Sequence, residues 1–390
     1  MKGRVCIVRH NYYPRENHVR RDAEALRDAG YQVDIICLKL KTEEEFELVN
    51  GINVYRIPVS HGRGGIFGYI VEYGFSFLLS SVKLNFLYLK KKYDIIEVDT
   101  MPDFLVFIAL IPKLLGAKVL LYMFENMPEL YAFEYKLSIG HPIVKLLKVI
   151  EKLGLKFADK IIITHERAYT IFEKHGIPKS KFTIVLNVPN EDIFSFPCRR
   201  MGKQGGNSFL LVSHGSILER YGYQTIVRAL KLIESKIHNF RLLIVGEGEY
   251  QREIRRLVKD LRLEERVRFT GYVPFDEIPM TIGRADIGIV PMLGTCEYML
   301  PNKLFEYIAL GIPTIASALA AMKAYFHNNS VIFFEAGNEK DLARCILELY
   351  QNPAKRKALV ANASKIYEKY RWPKMKKGYL KVYEDLTRRR

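Results

Sequence analysis

Short apolar runs alternate with helical patterns along most of the chain. The stretches between the first runs, such as 20–29 and 103–115, have the spacing of amphipathic helices. This alternation predicts a parallel sheet with helices packed on its faces. The strands predicted in this first half are Val5–Val8, Val33–Cys37, Ile95–Val98, Val119–Tyr122, Ile161–Thr164 and Thr183–Leu186.

The pattern breaks near 196–208, where Pro, Cys, two Arg and a Gly-Lys-Gln-Gly-Gly run predict a linker, and it then restarts. We therefore predict an α/β protein of two doubly wound, Rossmann-like domains, 1–196 and 209–372, joined by the linker 197–208 and facing a central cleft. The second set of strands is predicted at Phe209–Val212, Leu242–Val245, Val267–Phe269, Ile287–Val290, Thr314–Ala316 and Val331–Phe334.

The chain has 390 residues and a net charge of +17, which implies an acidic partner. Zinc-finger spacing and aromatic RNA-binding motifs are missing, so an anionic membrane surface or a phosphorylated substrate fits better than nucleic acid. The five cysteines are scattered without a CxxC pair, which indicates a reducing cytosol and neither a metal cage nor a disulfide framework. The first apolar run is too short for a signal peptide.

The segment 300–316 predicts a loop, a short helix, a glycine stop at Gly311 and a buried strand. Asn302 is the expected N-cap of the helix. The helix N-terminus attracts phosphate through its free N–H groups and dipole, and Lys303 adds a charge there. Glu306, one turn further along, could accept hydrogen bonds from the two hydroxyls of a ribose. Together these groups could hold a nucleotide diphosphate.

The loop His214–Gly222 follows the first strand of the second domain. Gly215 and Gly222 allow a close approach of the backbone, and Arg220 could clamp a diphosphate through two hydrogen bonds. Ser216 is expected among the donor contacts of this loop. A plain strand–loop–helix connection with a solvated arginine is the alternative.

Three weaker signals surround this loop. Gly246 and Gly248 could form a phosphate or sugar loop, although the dinucleotide fingerprint is incomplete and a tight turn is an equal alternative. Phe269 and Tyr272, at a strand end, could contact a base. Glu297 could hold sugar hydroxyls or could be a solvated loop acid.

In the first domain, polar residues follow three predicted strands. Glu125 follows the strand 119–122, and His165 follows 161–164, where Thr164 could equally cap the next helix. Residues after the first strand are expected to face the cleft on the acceptor side: Arg9, Asn11, Tyr12, Tyr13 and His18.

Two stretches of the first domain bear on membranes. Residues 65–89 are apolar but interrupted by charges, which favours a buried or interfacial helix over a transmembrane span. Residues 143–160 place lysines at helical spacing against leucines, as in a helix at a membrane surface, although an ordinary surface helix is an equal alternative.

Several motifs in order resemble the family 4 glycosyltransferases, and the resemblance covers nearly the full chain. The strongest lies at 301–313, which is similar to the donor-binding helix of these enzymes. Other similar blocks are Gly30–Ile35, Ala158–Ile163, Asn187–Asn190, His214–Gly222, Leu243–Gly248, Val267–Val273 and Ala285–Pro291.

The resemblance implies a GT-B fold and retaining, metal-independent transfer of a sugar from a UDP- or GDP-linked donor to a glycan or lipid-linked acceptor. Glu306 would bind the ribose, and Arg220 with Lys303 would neutralise the diphosphate, while Asn302 and Leu304 would complete the donor contacts. Glu125, Glu297 and His165 are the expected catalytic residues. The last segment, 373–390, would pack back on the first domain. The basic regions place the enzyme at the cytoplasmic face of the membrane.

Three positions depart from the family pattern. Phe124 replaces a histidine that often contacts the donor sugar, and Asn17–Arg21 replaces a glycine-rich acceptor loop. The first glutamate of the usual pair would fall at Tyr298, beside Glu297. A nucleotide-sugar 2-epimerase of the same fold and a non-catalytic nucleotide-sugar-binding protein are therefore the alternative functions.

Overall fold

A computed structural model describes residues 2–60, 65–194, 208–296 and 299–388. The chain forms two compact units, one of Met1–Leu186 with Pro373–Arg390 and the other of Asn187–Trp372. The linker predicted at 197–208 lies, except for Ser208, outside the described residues. The second unit begins before the predicted boundary because Glu191 accepts hydrogen bonds from the Trp372 backbone N–H (3.0 Å) and the Tyr367 hydroxyl (2.8 Å).

The first unit contains an eight-stranded sheet in the order β3-β4-β2-β1-β5-β6-β7-β8, parallel except for β3, which pairs antiparallel with β4 at the edge. Most of the central strand residues are buried on both faces, as expected for a parallel sheet between helices. The strands are β1 Gly3–Arg9, β2 Tyr31–Leu38, β3 Phe46–Val49, β4 Ile52–Ile57, β5 Ile95–Asp99, β6 Lys118–Met123, β7 Lys160–Ile163 and β8 Phe182–Ile184.

The helices of the first unit include the C-terminal helix α14, as the family resemblance implied. Its Tyr379 hydroxyl donates to Glu97 on β5 at 3.1 Å, and its Tyr383 hydroxyl donates to the same carboxylate. Burial raises the pKa of Glu97 to about 8. The helices are α1 Asn17–Asp28, α2 Gly65–Lys91, α3 Leu110–Leu114, α4 Met127–Glu134, α5 Pro142–Phe157, α6 Glu166–Phe172 and α14 Trp372–Thr387.

The second unit contains a six-stranded parallel sheet in the order β11-β10-β9-β12-β13-β14. Strand order reverses between β9 and β12, and ligands of open parallel sheets bind at the carboxyl ends of strands near such a point. The strands are β9 Phe209–His214, β10 Phe240–Val245, β11 Val267–Phe269, β12 Ile287–Val290, β13 Thr314–Ser317 and β14 Ile332–Phe334. The helices are α7 Tyr223–Ile233, α8 Gln251–Asp260, α9 Ile278–Ile282, α10 Asn302–Ala309, α11 Ala320–Lys323, α12 Glu339–Gln351 and α13 Pro353–Tyr367.

None of the helices in the described ranges is both long and apolar enough to cross a bilayer. The longest, α2, spans 27 residues and carries polar and charged side chains along its length. It corresponds to the stretch 65–89, for which the sequence favoured a buried or interfacial helix.

Candidate active site

Glycines let the loops after β9 and β10 pack directly against each other. Gly215 and Gly246 have φ of +112° and +126°, and a Cβ at Gly246 would lie 2.2 Å from the Gly215 carbonyl oxygen. A Cβ at Gly248 would lie 2.3 Å from the carbonyl oxygen of Ile217. Close packing of the loops is therefore enough to explain why positions 246 and 248 are glycine, whether or not these residues also contact a ligand.

Helix α10 begins beside these loops, but its start differs from the prediction. Pro301 is the N-cap, and Asn302 is the first helical residue, with no capping hydrogen bond from a side chain. The side chain of Leu304 is fully buried, and its backbone N–H donates to the Pro301 carbonyl at 3.1 Å. Leu304 therefore belongs to the core, and its side chain is unavailable for the donor contact that we had expected.

Lys303 is the cation at the start of this helix, and only 7% of its surface is exposed. Its Nζ lies 3.4 Å from the Tyr223 hydroxyl, and a Cβ at Gly215 would lie 3.5 Å from the same atom. Burial lowers the pKa of Lys303 to about 8, against the opposing effect of the Glu306 carboxylate. A buried ammonium beside the first residue of a glycine loop is suited to bind an anion.

Glu306 is buried and is held by His214, which is itself held by Tyr307. Its Oε2 lies 2.5 Å from Nε2 of His214, the last residue of β9. The other ring nitrogen of His214 lies 2.9 Å from the Tyr307 hydroxyl, which also accepts from the His214 backbone N–H at 3.1 Å. His214 therefore links the Glu306 carboxylate to the Tyr307 hydroxyl through its two ring nitrogens. The network fixes the carboxylate that we expected to bind a ribose.

Arg220 lies on the same loop as Gly215 and near the same aromatic ring as Lys303. The centroid of the Tyr221 ring is 5.1 Å from the Arg220 guanidinium carbon and 5.4 Å from Lys303 Nζ. The structure therefore brings both predicted diphosphate cations to one aromatic side chain. Ser216, on this loop, is exposed.

The two residues predicted to contact a base differ in their surroundings. Phe269 is partly buried against the core, and the Arg255 guanidinium carbon lies 4.2 Å from its ring centroid. Tyr272 is 56% exposed in the turn that follows. Tyr272 is thus freer to contact a ligand than Phe269. Glu297, which was predicted to hold sugar hydroxyls, lies outside the described residues.

In the first unit, a charged cluster forms at the carboxyl ends of β1, β5 and β6. Arg9 donates from Nε and Nη2 to both carboxylate oxygens of Glu16, at 2.7 and 2.6 Å. Its guanidinium carbon lies 5.0 Å from the Phe124 ring centroid, and the His18 ring lies 4.2 Å from the same ring. Burial alone would lower the pKa of Arg9, but Glu16 and, more weakly, Asp99 and Glu125 raise it. The structure therefore unites three predicted residues, Arg9, His18 and Glu125.

The other three residues predicted for the acceptor side, Asn11, Tyr12 and Tyr13, make contacts within the first unit. Tyr13 is only 2% exposed, so its side chain is enclosed by protein, and its place on the acceptor side stays a prediction. Tyr12 packs against the core of the first unit. Asn11 uses its side-chain oxygen to accept from the Tyr12 backbone N–H at 2.8 Å. A strand end indicates which edge of the sheet a residue lies on but not where its side chain points.

His165 is better explained as a helix cap than as a catalytic residue. It is 6% exposed, and its Nδ1 accepts the Ala168 backbone N–H at 3.1 Å at the start of α6. The sequence had offered Thr164 as the alternative cap, one position too early. The structure thus gives His165 a capping role, and its catalytic role stays a prediction.

Sequence reasoning missed the residues that hold the predicted ones in place. His214 and Tyr307 position Glu306, and Glu16 orients Arg9. The available signals were His214 at a strand end directly before a glycine, and an acid seven residues after Arg9. Over the described ranges, no group of three or more His, Cys, Asp or Glu side chains is arranged to hold a metal ion.

Comparisons with known proteins agree with this geometry. A family model described as a glycosyl transferase 4-like domain matches residues 16–187, and a model described as glycosyl transferases group 1 matches residues 208–352. The fold and these two matches define a glycosyltransferase of the GT-B type. The chain belongs to the family 4 glycosyltransferases, and it is an enzyme that transfers sugars.

Among curated relatives, an uncharacterized glycosyltransferase of Methanocaldococcus jannaschii is 25% identical, with 98% of each chain covered. The lipopolysaccharide core biosynthesis glycosyltransferase LpsD of Rhizobium meliloti is 30% identical over 40% of this chain and 44% of its own length. Among solved structures, sucrose-phosphate synthase of Thermosynechococcus elongatus matches with a TM-score of 0.82 at 18% identity over both full chains. Anabaena HepE in complex with UDP matches with a TM-score of 0.70 at 15% identity, covering 99% of each chain.

Proposed function

We propose that this enzyme moves a sugar from a UDP- or GDP-linked donor, with retention at the anomeric carbon and without a metal, to a lipid-linked or cell-envelope glycan. The proposed location is the cytoplasmic face of the membrane. The observation that carries the proposal is the buried pair Lys303 and Glu306 at the start of α10, beside the glycine loops.

The donor contacts follow from the charges of the second unit. The bond between the anomeric carbon and the diphosphate oxygen breaks, and the leaving diphosphate gains negative charge. Lys303, Arg220 and the N–H groups at the start of α10 would stabilise that charge. Glu306, held by His214, would accept hydrogen bonds from the ribose hydroxyls. Solved structures of HepE with UDP and with UDP-glucose support a nucleotide-sugar donor.

The acceptor assignment rests on chemistry in the first unit and on the names of relatives. An acceptor hydroxyl must lose a proton as it bonds to the anomeric carbon, and Glu125 is the carboxylate that we assign to assist this transfer. Arg9, oriented by Glu16, would hold an anionic part of the acceptor. Relatives named for lipopolysaccharide core and colanic acid biosynthesis support an envelope glycan.

The test screens UDP- and GDP-sugars for thermal stabilisation of the protein and then follows nucleotide release with and without membrane extract. Transfer predicts release that requires the extract, and the product anomer, read by NMR, must match that of the donor. A sugar altered by the enzyme in the absence of extract would support the 2-epimerase instead. Binding without turnover would remove the transferase proposal.

A further inference from the structure

Helix α2 exposes large apolar side chains along its outer face and buries polar side chains at the start of its inner face. Its outer face carries large apolar residues that expose between 52% and 65% of their surface, whereas polar residues at the start of its inner face expose at most 9%. The buried polar residues are Glu72, Ser76 and Ser80. The exposed apolar residues are Val71, Phe75, Leu78, Val82, Phe86 and Leu89, and we call them the α2 face.

A helix that faces water normally shows the opposite arrangement, with its polar stripe outward. The α2 face instead repeats apolar residues every three or four positions, which keeps them on one side of the helix. From Val71 to Leu89 this stripe is about 27 Å long at the rise of an α-helix. Contiguous exposed apolar surface of this size marks an interaction site.

Two neighbouring helices extend the apolar surface. Both α2 and α5 pack against the segment Asp103–Ala109, which continues into α3. The exposed apolar residues on α3 and α5 include Leu110, Ile111, Leu114, Leu146, Val149 and Leu153. The surface therefore spans helices on one side of the sheet, consistent with a broad and shallow partner rather than a single peptide.

The exposed charged side chains described on α2 and α5 all have one sign. The acids within α2 and α5 are Glu72 and Glu151, and both are buried. The exposed charges of the two helices are lysines, such as Lys90, Lys145 and Lys156. Anionic lipid head groups complement lysines that border an apolar stripe, because the lysines bind the head groups while the stripe enters the acyl boundary.

We propose that the α2 face docks on the surface of an anionic bilayer, with α2 lying flat in one leaflet. The proposal deepens the proposed function, since it rests on the membrane location given there and names the surface that makes the contact. It is compatible with the finding that none of the described helices could span a bilayer.

The inner face of α2 connects this surface to the acceptor side of the first unit. His10 lies directly after Arg9, and its Nε2 is 2.9 Å from Glu72 while its Nδ1 is 2.7 Å from Ser76. Two of the three buried polar residues of α2, Glu72 and Ser76, are thereby satisfied, which explains why they point inward. A membrane seated on the outer face would thus lie one helix away from Arg9, the residue assigned to an anionic part of the acceptor.

The test measures flotation of the full chain with vesicles of phosphatidylcholine alone and of phosphatidylcholine mixed with phosphatidylglycerol. We expect binding to the mixed vesicles that weakens as salt rises. Phe75→Glu and Val82→Glu should each weaken that binding about tenfold or more, because each replaces an inserted apolar group by a charge. Lys145→Gln and Lys156→Gln should each weaken it about fivefold, and only for the anionic vesicles.

Leu232→Glu is the matched control, because Leu232 is a similarly exposed leucine on α7 of the second unit. Circular dichroism and thermal stabilisation by UDP verify that every variant is folded. Unchanged vesicle binding by the Phe75 and Val82 variants would overturn the proposal, as would a dimer that those substitutions dissociate without any binding to vesicles. Failure of the wild type to bind either kind of vesicle, with nucleotide release intact, would overturn the docking surface alone, whereas vesicle binding without sugar transfer would count against the transferase alone.

Discussion

The pKa of Lys303 predicts that donor affinity falls in mildly alkaline solution. Burial lowers this pKa from 10.5 to about 8 in the free protein. Because an anionic diphosphate binds the protonated amine, affinity is present below the pKa and is lost as pH rises through it. With one linked proton and a pKa near 8, affinity for UDP should drop about tenfold between about pH 7 and pH 9.

Removal of the Glu306 charge should change both the size and the position of this fall. The carboxylate opposes the effect of burial on Lys303, so Glu306→Gln should lower the Lys303 pKa further and move the loss of affinity to lower pH. The variant also loses charge-assisted hydrogen bonds to the ribose, which are worth about 1.5–3 kcal/mol, or roughly a ten- to hundredfold loss of affinity.

Isothermal titration calorimetry with UDP across this pH range measures both effects, since the phosphates remain ionised above about pH 7. Glu264→Gln is the control, because Glu264 is an exposed acid of the same unit. A flat affinity profile for the wild type would refute the role of Lys303. A Glu306→Gln variant with the same affinity and the same profile as the wild type would refute the donor-site assignment.

Three further results are expected. His214→Asn should weaken UDP binding several-fold, since it frees the Glu306 carboxylate. Equal UDP affinity by calorimetry would exclude this positioning role. Gly222→Ala should destabilise the protein by about 3 kcal/mol or more in urea unfolding, because φ is +69° and a Cβ would lie 1.7 Å from the Pro291 carbonyl oxygen. Gly294→Ala is the control: a Cβ there would meet no atom closer than 3.9 Å, so the free energy of unfolding should hardly change. Equal destabilisation by the two substitutions would contradict the argument. Because the pKa of Glu97 is raised, the protonated carboxyl contributes stability that is fully present below the unfolded pKa and is lost as pH rises through about 8. Glu97→Gln should therefore flatten the fall in the urea midpoint between about pH 6 and pH 9.

The strand pattern was readable in advance because buried parallel strands are continuous apolar runs. The exception is the hairpin of β3 and β4, which the sequence reading omitted. Phe46 and Leu48 of β3 are exposed, so β3 lacks the continuous buried apolar run by which the other strands were recognised. The turn had a signal, Asn50-Gly51, and both residues adopt positive φ in the structure, as a two-residue hairpin turn requires.

The site was predictable to the level of the loop but not of the side chain. Glu306 and Lys303 could be placed because helical spacing fixes their positions relative to the start of α10. The burial of Tyr13 and the capping role of His165 were not predicted, because the direction of a side chain at a strand end depends on the loop that follows. The contact between His214 and Glu306 was not predictable, because 92 positions separate the two residues and only the fold brings β9 beside α10.

In both units, the residues assigned to function are those that reverse the usual burial of polar and apolar groups. Lys303 is a charged group held out of water, which costs stability unless an anion neutralises it. The α2 face is apolar surface held in water, which costs stability unless a nonaqueous partner covers it. Each arrangement is unfavourable in the free protein and becomes favourable with a ligand of complementary chemistry. UDP should therefore raise the thermal stability of the wild type more than that of Lys303→Met, which lacks the buried charge, and equal stabilisation would show that the diphosphate does not neutralise Lys303.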